Sequence, residues 1–124
     1  MFLEYLTVYA VGALGYGLME LAYRGFTHWT MLLAGGFCLT ILHLIVTSGK
    51  FPLWAQCALG ASAITAVELL VGLLVNVVLK WNVWDYSGAP LQLLGQICLP
   101  FSLLWLLICL PCTCLCRGIH RLFL

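Results

Sequence analysis

Apolar positions do not alternate with polar ones along this chain. They gather into four long runs, Phe2–Ala22, Trp29–Ser48, Leu53–Leu79 and Pro90–Leu110, the last extendable to Cys116. Each approaches or exceeds the roughly 20 residues that a helix needs to cross a hydrocarbon core about 30 Å thick. A closed barrel would need period-two alternation, which these runs lack, and a helix satisfies every backbone group within its own segment. The pattern predicts an all-α, polytopic membrane protein: a four-transmembrane-helix antiparallel bundle that forms one integral membrane domain over residues 1–124.

The connections are short and carry the residues of a membrane interface. Trp29, Trp54, Trp81 and Trp84 fall at the ends of predicted spans, the depth that amphipathic indoles prefer. Short loops make consecutive helices antiparallel, so both termini and the Gly49–Pro52 loop share one side. That side carries Lys50, Arg117 and Arg121, against Arg24 and Lys80 on the other. The bias of basic residues points to cytoplasmic termini, in a plasma or inner membrane. Met1-Phe2-Leu3-Glu4 has neither the basic start nor the cleavage site of a secretory signal, so the first helix is expected to be kept.

Composition narrows the function. Hydrophobic residues make up 65% of the chain and charged ones 7%, and the mean hydropathy is +1.13, so lipid is the first expected partner. A formal net charge of +1 offers no basic face for nucleic acid.

Against this background Glu68 stands out, because a carboxylate inside the bilayer costs several kcal/mol unless something pairs or hydrates it. Thr65, Glu68, Gly72 and Asn76 recur at helical spacing and predict a polar seam on the third helix. Gly36, Thr40, His43 and Thr47 form a matching stripe on the second. At a rise of roughly 1.5 Å per residue, Glu68 lies about 16 Å from the end of its run and Glu20 only about 3 Å from the end of its own. The two acids are therefore not expected to touch. Glu20, Arg24, His28, Lys80 and Asp85, with Trp84 and Tyr86, instead predict a charged and aromatic cluster at one mouth of the bundle. Small residues at Cys57-Ala61-Thr65 and Ala58-Ser62-Ala66 predict close approach of the third helix to a neighbour. Pro100 is expected to kink the fourth span.

Seven cysteines, an odd number, do not read as a disulfide framework. The tail Cys109-Leu110-Pro111-Cys112-Thr113-Cys114-Leu115-Cys116 lacks the paired knuckles of a zinc site, and for His43 a packing role is preferred over metal ligation. No metal, no cofactor and no catalytic residue is expected.

One stretch of the chain is more specific. Gly15, Glu20 and Arg24-Gly25, then Glu68 and Gly72, Trp84-Asp85-Tyr86-Ser87, Pro90, Leu94-Gly95-Gln96-Ile97-Cys98-Leu99, Phe101-Ser102 and Trp105 resemble the CmpB-type ABC-transporter type IV membrane proteins, over roughly residues 12–107. Longer members have Gly-Pro and Pro-Ile-Tyr-Gly segments where this chain continues Thr27-His28-Trp29-Thr30. The resemblance implies transport and brings no catalytic residue with it. The expected function is a small transporter or permease, or a subunit of one, with its seam centred on Glu68. The alternatives are an accessory or assembly protein that binds partner helices and, third, a lipid-modifying enzyme. No Gly-x-x-x-x-Gly-Lys-Ser/Thr loop is present, so ATP hydrolysis would fall to a separate ATPase. Four short helices enclose little volume, which predicts a homo-oligomer.

Overall fold

The computed structural model describes residues 2–25, 28–80, 92–93 and 97–123, and only the backbone at Tyr23, Arg24, Gln92, Leu93, Cys98 and Leu99. Four helices dominate: α1 (Phe2–Arg24), α2 (Trp29–Thr47), α3 (Leu53–Gly72) and α4 (Leu99–Leu122). All four are long and apolar enough to cross a membrane. A two-residue antiparallel ladder, β1 (Gln92–Leu93) with β2 (Ile97–Cys98), precedes α4.

Local chemistry sets the helix ends. Gly25 follows α1 with φ 79°, the left-handed conformation that closes a helix at little cost only without a Cβ. His28 caps α2 through its ring, which accepts from the Thr30 backbone N–H. Pro52 stands immediately before α3, where its missing donor is harmless.

The fourth helix departs from expectation. It begins at Leu99 rather than Pro90 and runs on to Leu122, because the strand pair occupies the segment before it. Pro100 thus falls in the first helical turn, where backbone N–H groups have no intrahelical acceptor, and it breaks no helical bond. Pro111 is the proline inside the helix.

A second departure is at the end of α3. The helix continues as a π-helical turn, Leu73–Val78, in which the Leu79 N–H reaches back to the Leu74 carbonyl at 2.9 Å. This wider winding takes half-buried Asn76 off the i, i+4 spacing that aligned it with Glu68.

Contacts run in opposite order along neighbouring helices, as an antiparallel bundle requires. Glu4 meets His43, Gly12 meets Gly35 and Gly17 meets Leu32 between α1 and α2; Gly60 meets Cys109 between α3 and α4. α2 is the central helix and packs on all three others, whereas α1 and α4 meet only sparsely. Half of the α2 span is buried, against 17% of α1. The core joins Val8, Leu39, Leu42, Cys57, Ala61, Trp105, Cys109 and Cys116.

Close approach rests on glycine more than on the small residues of α3. Cys57 and Ala61 are buried, but Ala58, Ser62 and Ala66 are exposed, so only the first of those two stripes packs. A Cβ at Gly35 would lie 2.4 Å from the Tyr16 Cβ and 2.9 Å from the Gly12 carbonyl oxygen. Without strong hydrophobic drive between helices in lipid, such backbone contact is what holds α1 to α2.

Gly35→Ala is therefore expected to destabilise the bundle by about 1–3 kcal/mol through overpacking. Gly15→Ala, whose Cβ meets nothing within 4 Å, is expected to be neutral or to gain up to about 1 kcal/mol of helix propensity. Reversible unfolding in mixed micelles compares the two; equal effects would show that α1 and α2 are not in backbone contact.

Candidate functional site

Glu68 points into the bundle. Its side chain belongs to the face of α3 that packs on α4, and the residue is 5% exposed. Trp105 of α4, also buried, donates its indole Nε1–H to Glu68 Oε1. One turn away, the hydroxyls of Thr65 and Ser102 share a hydrogen bond of 3.0 Å. The pairs Thr65/Glu68 and Ser102/Trp105 each have i, i+3 spacing, so two polar residues on each helix meet within one turn. An acid that lipid would reject is thus held by an aromatic donor that lipid accepts.

Trp105 has a second neighbour. Its indole stacks on the Tyr16 ring at a centroid distance of 5.8 Å and an angle of 28°. Both rings line a cavity of about 290 Å³, walled by α1 and α4 and floored by Gly35, Cys38, Leu39 and Leu42 of α2. The lining is otherwise aliphatic or thiol, and Glu68 is not part of it. Trp105 therefore stands between an apolar cavity and a carboxylate.

The other seam residues are placed differently. Thr40 donates to the Gly36 carbonyl of its own helix at 2.8 Å, and Thr47 does the same to His43 at 2.8 Å. These hydroxyls serve backbone carbonyls of α2 and do not extend the Glu68 seam. His43 does not meet Glu68 either.

His43 joins a second polar cluster, nearer the terminus side. It is fully buried, and its Nε2 lies 2.5 Å from Glu4 Oε2. His120 Nδ1 approaches the same oxygen at 2.8 Å. A carboxylate oxygen only accepts, so both ring nitrogens act as donors. His43 Nδ1 is then left buried without a hydrogen-bond partner. The Tyr5 ring packs edge-on against His43 at 5.7 Å and 88°.

At the opposite mouth, Glu20 is half-buried and Lys80 exposed. His28 Nδ1 lies 3.3 Å from the Thr30 N–H and 2.7 Å from its hydroxyl, with the ring stacked on Trp29. The Arg24 side chain and Trp84, Asp85 and Tyr86 lie outside the described residues. Cys38, Cys57, Cys109, Cys112, Cys114 and Cys116 are free; Cys109 and Cys116 are buried and Cys114 is exposed.

Glu4 and His120 are not among the residues that sequence reasoning singles out, although helix arithmetic could have paired them with His43. At roughly 1.5 Å per residue, Glu4 lies about 3 Å from the start of α1, His43 about 6 Å from the end of α2 and His120 about 3 Å from the end of α4. In an antiparallel bundle those depths coincide. Trp105 carried no such signal, because an apolar helix is a usual place for a tryptophan.

A family model described as "Putative ABC-transporter type IV" matches residues 7–123. The match covers nearly the whole chain, and the chain belongs to that family. With its four spans it is a multi-pass membrane protein related to transporters. No curated protein and no solved structure matches it.

The Trp105–Glu68 bond makes a thermodynamic prediction. Trp105→Phe leaves a buried carboxylate oxygen without its donor and is expected to cost about 1–3 kcal/mol. Glu68→Leu orphans the indole N–H in turn. A double-mutant cycle read by unfolding in mixed micelles should give a coupling of about 1–2 kcal/mol; additivity within about 0.5 kcal/mol would mean that the two side chains do not interact.

Proposed function

We propose that this member of the family is a small membrane permease, or the membrane-spanning subunit of one, which carries a hydrophobic cation past the Glu68 carboxylate. One observation carries the reading: Trp105 walls the apolar cavity on one side and donates to Glu68 on the other. A swing of that indole would open the cavity to the acid. The cavity volume is near the lower end of the roughly 300–1,000 Å³ typical of small-molecule pockets. Its walls suit an apolar body, and stacked rings such as Tyr16 and Trp105 attract a cation held over their faces. The carboxylate supplies the opposite charge, in a place where ionisable groups usually mark a transport path. Where ATP drives the flux, its hydrolysis belongs to a separate chain. The termini lie in the cytoplasm under this reading.

A second reading is an accessory or assembly protein. The sparse meeting of α1 with α4 favours it, since a partner helix could seat between them. Capture of a stoichiometric membrane partner whose release follows substitution of Gly15, on the cavity wall, would support it.

Two measurements test the permease. In proteoliposomes, the full chain is expected to move a fluorescent lipophilic cation, and Glu68→Gln to slow that flux at least tenfold while the bundle stays folded. No flux from the wild type across cations of several sizes, or unchanged flux in the variant, would sink the proposal. We also propose a homodimer, because the exposed apolar face of α1 leaves room for a second copy. Mass measurement in lipid nanodiscs is expected to give two chains per particle, and a strict monomer would contradict it.

A further inference from the structure

The cluster at the terminus side has the makings of a metal centre. Three helices contribute to it: the first turn of α1 supplies Glu4, the final third of α2 supplies His43, and the last turn of α4 supplies His120. One donor atom from each, Glu4 Oε2, His43 Nε2 and His120 Nδ1, lies within 4.8 Å of the other two. We propose that these three atoms hold a divalent transition metal of the zinc class, which clips α1, α2 and α4 together independently of any transport path.

The donor set selects the metal. Two imidazoles and a carboxylate suit zinc and its neighbours, whereas calcium and magnesium want oxygen alone. Two histidines and a glutamate form an open zinc set, with a fourth position left for water or an incoming ligand. Tetrahedral ligands at about 2.0–2.2 Å from the ion stand roughly 3.3 Å apart. The present contacts of 2.5 and 2.8 Å are shorter, so the ion needs each to open by less than about 1 Å, within reach of small side-chain rotations.

Burial fits as well. His43 is fully buried and Glu4 nearly so, while the His120 side chain is 38% exposed. Two ligands are thus fixed by packing, and the third forms the door. On binding, the proton on His43 Nε2 shifts to Nδ1 and that on His120 Nδ1 shifts to Nε2, so that each neutral ring turns a bare nitrogen to the ion. His43 Nδ1 has no hydrogen-bond partner, and absence of an outer-shell acceptor typically weakens a site by about 10–100-fold. Affinity is therefore expected to be moderate rather than extreme.

The cysteines of α4 are the competing ligands, and the test separates them by spectroscopy. The full chain, purified in micelles and stripped with a chelator, is titrated with Co²⁺ and then with Zn²⁺. One equivalent of Co²⁺ is expected, with tetrahedral visible bands and no thiolate charge-transfer band. His120→Gln, a substitution at the half-exposed ligand that leaves the core intact, should weaken binding at least 100-fold. His120→Cys should restore it and add the missing thiolate band. Zn²⁺ should raise the melting temperature of the wild type and leave that of His120→Gln unmoved. A thiolate band in the wild type, or binding indifferent to His120→Gln, would assign the metal elsewhere. Failure to bind one equivalent would leave Glu4, His43 and His120 a hydrogen-bonded network and overturn the proposal.

Discussion

A polar group that enters hydrocarbon must find its partner inside the protein, because no water is there to supply one. The contact between Trp105 and Glu68 meets that demand at the α3–α4 interface. Remove the indole and Glu68 Oε1 loses the donor that reaches it across the interface. This bond fixes Trp105 at the α3–α4 interface and, through it, the separation of the cavity from the acid. Thr65 and Ser102 extend it by a turn.

The same demand explains the Glu4, His43 and His120 cluster, with a different outcome. There the acid has two nitrogen donors, and the surplus polar atom is a buried imidazole nitrogen. At Glu68 a single indole donor meets one carboxylate oxygen. Where two rings converge on one oxygen, the arrangement invites a shared ion. The two clusters lie at different depths of the bundle, and α2 is buried over half its span because it faces all three other helices.

Close packing and open space are arranged around the same helix. Gly12 and Gly35 bring α1 against α2 at backbone distance, while α1 and α4 meet only sparsely. The cavity lies between α1 and α4, with Gly15 on its wall. The glycines that hold α1 to α2 thus also line the hollow.

Much of the architecture was legible in the sequence. Runs of apolar residues determine how many times the chain crosses, because backbone polarity leaves the helix as the only spanning form for such runs; short connections determine that neighbours are antiparallel. The acid at position 68 was equally visible, since its cost in lipid depends only on depth along one helix. What the acid meets was not visible. Trp105 is 37 residues away, and nothing in the spacing of one helix sets the rotation of another about its own axis. For the same reason His43 and Thr40, whose stripe on α2 matches the Glu68 stripe by spacing, went respectively to Glu4 and to the backbone of α2. The start of α4 also lay beyond the apolar pattern, because the residues before Leu99 are apolar enough to be helix and are instead partly paired as strands. Local periodicity decides what each segment is; only the rotation and depth at which the segments dock decide which polar atoms meet.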